Sequence, residues 1–222
     1  MIKKETFQFL KDLMANNDRD WFQENKAKYE EARQNVEEFA DEILIEIKKI
    51  DSSIPPEFSG KKSMMRIYRD VRFSKNKLPY KNNFGIGISS TGKGGDNPGY
   101  YIQIQPGESF VAGGYWMPQA DHLKAIRQEI DYNTQDFLKI IESKEFVAHF
   151  GGLNQEDKLK TTPKGYDAEH EYIELLRLKS FTVFEKLNDN VLNSSKAVET
   201  IVESLKMINP LTVFLKQAIG NN

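Results

Sequence analysis

The sequence predicts an α+β fold: an antiparallel β meander packed against a long N-terminal helix and several C-terminal helices, in one domain over 1–222. Three observations carry this prediction. Apolar residues recur at helical spacing in both outer thirds of the chain. In the middle, Phe84, Ile86 and Ile88 alternate with Gly85 and Gly87, and Tyr100, Ile102 and Ile104 alternate with Tyr101, Gln103 and Gln105. That period of two marks strands with one buried face. Finally, Pro106-Gly107-Glu108 joins the second run to a third at Ser109 to Tyr115. A turn that short makes its strands antiparallel neighbours.

Element by element, Phe7, Leu10, Leu13 and Met14 share a face of a first helix, which Asn16-Asn17-Asp18 ends. Asp20 with Gln23 has the spacing of a capping box opening the next helix. That helix is long, with Phe22, Tyr29, Val36, Phe39, Ile43, Ile47 and Ile50 as its apolar stripe. Ile54-Pro55-Pro56-Glu57 breaks it. After the strands, Leu123, Ile126 and Ile130 fall on one helical face. Asn133 or Thr134 caps a following helix with Phe137, Leu138 and Ile141. Phe146 and Phe150 continue the pattern until Gly151-Gly152. Thr91 to Asn97 and Lys158 to Asp167 are loops by composition. Ser180 to Phe184 is a candidate strand, Ser195 to Met207 a helix, and Pro210 precedes a last amphipathic turn or two.

Composition narrows the class. With 29% charged and 39% hydrophobic residues, the chain reads as soluble and globular rather than disordered. It has no cysteine, which excludes thiolate catalysis, thiolate metal sites and disulfides. The first residues lack the apolar run of a signal peptide, and no apolar stretch approaches the roughly 18 residues that span a membrane. The expected location is the cytoplasm, with no membrane partner. An acidic pI near 6.0 argues against general nucleic-acid binding. His122 and His149 lack a ligand-pair spacing, so neither a metal nor a cofactor is expected.

Against that background one segment stands out. From Lys61 to Lys81 there are eight cations and one anion, a local charge of +7 in a chain of net charge −2. Met1 to Gly60 holds nine basic and fourteen acidic residues, so the two segments attract. As a strand, the segment points Arg66, Tyr68, Asp70 and Arg72 one way, and Met65, Ile67, Arg69, Val71 and Phe73 the other. Arg72 is then within reach of Asp70, while Arg69 needs a carboxylate from elsewhere. As a helix, Arg66 would pair with Asp70 instead. Val71, Phe73 and Lys-Leu-Pro-Tyr favour the extended form. Arg66, Arg69, Arg72, Lys77 and Lys81 are candidate ligands for a phosphate or carboxylate, with Tyr68 and Tyr80 donating hydrogen bonds or stacking. The competing account is an internal ion-pair network with the acidic long helix.

The run Arg66-x-x-Arg69-Asp70-x-Arg72-Phe73-x-x-Asn76-Lys77-x-x-Tyr80-Lys81 resembles the signature of the family called domain of unknown function 2461, whose members are bacterial and fungal. Asn17-x-Arg19-x-Trp21-Phe22-x-x-Asn25, Pro98-Gly99-Tyr100-Tyr101, Gly113-Gly114-x-Trp116-x-Pro118 and Pro163-Lys164-Gly165-Tyr166-Asp167-x-x-His170 extend the resemblance over nearly the whole chain. It implies a shared site and leaves the chemistry open.

The late motif is the second candidate. Tyr166, Asp167, His170 and Glu174 lie close together, with Arg177 one turn on. His170 is an acid/base candidate that Asp167 would orient, and Tyr166 and Arg177 are candidate ligand contacts. The alternative is a helix start, with Asp167 as cap and Glu174 paired to Arg177. Asp70 is the other acid/base candidate. Three functions follow: binding, or turnover, of an anionic phosphate-bearing small molecule; a nucleic-acid-associated module; or a structural protein whose arginines are internal ion pairs.

Overall fold

Helix α1 (Lys4–Ala15) buries Thr6, Phe7, Phe9, Leu10 and Leu13 along one face. The computed structural model that shows this describes residues 1–220. No residue beside α1 caps its start. Instead Asn35, buried on a neighbouring helix, accepts from the Lys3 amide at 2.8 Å and from the Thr6 hydroxyl at 2.8 Å. Helix α2 (Arg19–Glu24) is capped by Asp18, whose side chain accepts from the Trp21 amide. The capping residue is thus Asp18 rather than Asp20, which sits in the first turn where the helix dipole favours a carboxylate. The long helix is also interrupted. Asn25 leaves helical geometry, and its amide nitrogen donates to the Trp21 carbonyl at 2.9 Å, competing with the backbone ladder. Helix α3 (Lys26–Ile47) then buries Ala32, Val36, Phe39, Ala40, Ile43, Leu44 and Ile47; Ile50 lies beyond its end.

After the short helix α4 (Gly60–Ser63), four strands form one sheet in the order β1 (Phe84–Ser89), β2 (Gly99–Ile104), β3 (Phe110–Tyr115) and β4 (Phe181–Lys186). Every neighbouring pair is antiparallel. The first three strands make the meander. The fourth returns after helices α5 (Ala120–Tyr132), α6 (Thr134–Ile141), α7 (Lys144–Phe150) and α8 (Ile173–Leu176). One face carries Phe84, Ile86, Ile88, Ile102, Ile104, Val111, Phe181 and Val183, all buried. Helices α9 (Asp189–Leu192) and α10 (Ala197–Gly220) complete the chain.

Helix α10 runs against β3 on this face. A Cβ on Gly113 would lie 2.4 Å from the Ile208 side chain, so only glycine lets the helix approach this closely. The sequence placed a break before Pro210, yet α10 continues through it. Proline costs a helix interior about 3 kcal/mol. Here the ring is exposed while Ile208, Leu211 and Leu215 around it are buried, and each such side chain stabilises by about 1.5–3 kcal/mol. Burial outweighs the missing hydrogen bond. Among the described residues, no helix is long and apolar enough to cross a membrane.

A buried polar cluster ties α10 to the end of α3 and to β2. Asp51, 5% exposed, accepts from Lys216 Nζ at 2.5 Å, Ser53 Oγ at 2.7 Å and Tyr100 Oη at 3.0 Å. Burial alone would raise the Asp51 pKa. The hydrogen bonds from Lys216, Ser53 and Tyr100 and the Lys216 charge outweigh it, and the carboxyl is held below its ordinary value of 3.8. A depressed carboxyl stabilises the fold above its unfolded pKa and loses that contribution as pH falls through the folded one. Asp51→Asn should therefore flatten the loss of stability below about pH 4. Asp51→Ala strands the Lys216 ammonium and should cost about 3–5 kcal/mol in urea denaturation.

Candidate functional site

The basic segment is an extended arm that folds back on itself. Met64 bridges to Ile86, and the Met65 amide donates to the Gly85 carbonyl at 2.8 Å, so the arm begins as an irregular partner of β1. Tyr68 then pairs with Tyr80, closed by Arg69 N–H to Pro79 C=O at 2.9 Å and Lys81 N–H to Ile67 C=O at 2.8 Å. The loop tip runs from 70 to 78. The alternation holds as far as Val71: Arg66, Tyr68, Asp70 and Arg72 are exposed, while Ile67 is buried and Met65, Arg69 and Val71 are half-buried. Phe73 breaks it, standing 96% exposed at the tip.

Asn17 holds this hairpin to the body. Its amide nitrogen donates to the Tyr80 carbonyl at 3.0 Å, and its amide oxygen accepts from the Tyr80 N–H at 3.1 Å. One side chain thus acts as a strand neighbour. The Tyr80 ring stacks on Phe22 with centroids 4.0 Å apart and planes 12° apart. Phe22 in turn meets Phe9, Tyr29 and Tyr68. The early motif therefore supplies both the clamp and the floor for the central one. Asn17 read from sequence as a helix-ending residue and as the first position of the early motif; nothing local marks a clamp that closes 63 residues away.

The candidate residues separate into groups. Arg72 forms a two-pronged pair with Asp70, Nε to Oδ1 at 3.0 Å and Nη2 to Oδ2 at 2.7 Å. These bonds, with Arg66 nearby, hold the Asp70 carboxyl below its ordinary range. Lys77, exposed, folds back on its own loop and donates to the Val71 carbonyl at 2.9 Å, bracing the loop tip. Tyr80 is packing rather than an accessible contact: the residue is 6% exposed. What remains is Arg66, Arg69 and Lys81 with the half-exposed Tyr68 ring beside them. Among the described residues, no carboxylate pairs with any of these three cations. The Lys81 pKa is lowered by burial and by the Arg66 charge.

The late motif lies elsewhere. His170 Nε2 meets Asp131 Oδ1 of α5 at 2.9 Å; Asp167, the expected orienter, instead accepts from the Glu169 amide at 2.9 Å. Tyr166 stacks edge-on with His170. Burial raises the Tyr166 pKa, with help from the Asp131 charge. Arg177 pairs with Glu174 at 2.8 Å. No hydrogen bond, ion pair or ring contact joins this cluster to the central motif among the described residues. A second histidine cluster is closed to a substrate: His149 Nε2 faces both Glu185 and the Ser204 hydroxyl, and Ser204 is fully buried. Among the described residues, no group of three His, Cys, Asp or Glu side chains could hold a metal ion.

Sequence reasoning missed one feature. The sheet face opposite the helices carries a pocket of about 710 Å³, bordered by Met65, Lys93, Tyr101, Trp116 and Phe184. The only local signal was the small residues Gly85, Gly87, Ala112 and Gly114 at alternate positions, where a solvated sheet face usually carries polar side chains.

Two outcomes follow from this geometry. Asn17→Ala leaves the Tyr80 N–H and C=O without their partner, and should cost about 1–3 kcal/mol in denaturant unfolding. Arg66→Ala and Arg69→Ala break no ion pair, and should leave ligand-free stability within about 0.5 kcal/mol of wild type by the same measurement.

No curated protein and no solved structure matches the chain. A family described as conserved hypothetical protein, domain of unknown function 2461, matches residues 5–214. The Asn17–Tyr80 clamp and the arginine-bearing arm lie within that span, and the chain belongs to this family.

Proposed function

We propose that the protein binds an anionic, phosphate-bearing small molecule in the cytoplasm through Arg66, Arg69 and Lys81, with Tyr68 beside the ligand. The observation that carries this reading is the missing counter-charge. An internal ion-pair network would bring carboxylates from α3 to these cations, and none is there among the described residues. Lys81 is held half-buried next to Arg66, which disfavours its charged form. A bound phosphate relieves that repulsion, and the arginines offer it forked donors. Neither acid/base candidate supports turnover: Asp70 is committed to Arg72, and His170 belongs to the α5 cluster. Binding is the better-supported activity.

A nucleic-acid ligand is the second reading. The exposed Phe73 ring, with the Arg72 guanidinium 5.9 Å from its centroid, is a surface on which a base could stack. Ionic strength separates the two, because contacts to many phosphates give a steep loss of affinity with salt and a single-phosphate site a shallow one.

The test is thermal unfolding of wild type, Arg66→Ala, Arg69→Ala and Lys81→Met with inorganic phosphate, sugar phosphates, nucleotides and short oligonucleotides. One ligand class should raise the wild-type Tm, with a gain of about 2.7 kcal/mol at a hundredfold excess over Kd. The variants should melt normally alone and respond weakly. A panel that shifts nothing, or shifts the variants equally, overturns the proposal. Because the Lys81 pKa lies below that of an ordinary lysine, affinity should fall on alkalinisation before free lysine titrates, and Lys81→Met should remove that pH dependence.

A further inference from the structure

We infer that the outer face of the sheet is a second ligand site, and that its ligand is a planar aromatic small molecule. Three cross-strand rows build this face. Gly85, Gln103, Phe110 and Lys186 form the first; Gly87, Tyr101, Ala112 and Phe184 the second; Ser89, Gly99, Gly114 and Thr182 the third. At the centre of the third row Gly99 and Gly114 carry no side chain, so backbone forms the floor there. Aromatic rings stand at its borders: Tyr101 and Phe184 in the adjoining row, and Trp116 just past β3. Trp116 is 69% exposed and Phe184 49%, although large apolar rings normally find cover.

The β1 side has a built wall. The Lys93 backbone folds over the sheet so closely that a Cβ on Gly87 would lie 2.7 Å from the Lys93 carbonyl oxygen and 2.8 Å from the Met65 methyl. Lys93 Nζ pins that loop by donating to the Met64 carbonyl at 2.9 Å. The depression therefore exists without a ligand. Its volume, about 710 Å³, falls in the range of small-molecule sites.

The chemistry of the lining selects the occupant. A glycine floor between aromatic borders leaves room for a ring over the backbone that meets other rings at its edges. Polar groups at the margin remain for its hydrogen-bonding edge: the Thr182 hydroxyl and the Asn154 amide nitrogen make no hydrogen bond among the described residues. The pocket shares only the Met64–Met65 stretch with the arginine arm, so this inference stands without the proposed anion site.

The test is a titration of the full chain with 2-naphthol, a planar aromatic probe that is uncharged at neutral pH, followed through backbone amide chemical shifts. Shifts should cluster at Gly99, Ala112, Gly114 and Thr182. Ala112→Phe puts a ring into the space and should weaken binding at least tenfold with a native spectrum retained. Trp116→Ala, at an exposed position, should weaken it with the fold intact even if the first variant misfolds. Lys206→Ala, an exposed position on α10 away from the pocket, should leave the titration unchanged. Shifts confined to the arginine arm, scattered over the surface, or equal in wild type and Trp116→Ala would refute the assignment. So would sedimentation showing a dimer that Trp116→Ala converts to monomer, since a second copy of the chain would then cover this face.

Discussion

The candidate surface depends on the two hydrogen bonds between Asn17 and the backbone of Tyr80. The arm that carries Arg66, Arg69 and Lys81 belongs to no strand ladder beyond two isolated bridges. Irregular chain with unpaired backbone groups does not hold a fixed position by itself. Asn17 gives Tyr80 the partners a neighbouring strand would have given, and Phe22 gives its ring a stacking surface. With Tyr80 anchored, Tyr68 and the backbone bonds of Ile67 and Arg69 follow, and the cations are carried into place. The clamp turns a basic loop into a defined arrangement of charges.

The two faces of the sheet serve different ends. The inner face is aliphatic and aromatic, meets α10 at Gly113, and is closed further by the polar cluster around Asp51. Among the described residues no helix covers the outer face, which is bordered by Met65, the Lys93 loop and Trp116. Glycine therefore appears on both sides for one physical reason, close approach, with different objects approaching: a helix inside, a folded-back loop outside. Around this sheet the three histidines are each bound to another side chain, Tyr115, Glu185 or Asp131. None of them faces the arginine arm.

Charge was only partly informative about pairing. The attraction between a negative N-terminal arm and a positive segment is sound as long-range electrostatics, yet it does not decide the pairs: Arg33 pairs with Glu37 and Arg72 with Asp70 nearby in sequence, and Asp51 pairs with Lys216 of α10. Neighbours in sequence reach one another at little entropic cost, whereas an arginine on the arm would have to order a long side chain to meet a carboxylate on another element. Arg66 and Arg69 are left over by that competition.

The sequence by itself determined the element types and the α+β class, since periods of 3.6 and 2.0 residues are local and each run was long enough to show one. It also revealed the basic segment and the Asp70–Arg72 pair, which are separated by two residues. It misplaced the α2 cap and the break at Pro210, because a cap is chosen by which carboxylate meets a free N–H, and a proline is tolerated where burial on both sides outweighs one lost bond. Only the tertiary structure decided that Asn17 clamps Tyr80, that Tyr80 is floor rather than contact, that His170 answers to Asp131, and that the outer face is hollow. Each of these depends on groups tens of residues apart meeting within 3–4 Å, and chain closure, which sets such meetings, leaves no trace in local residue pattern.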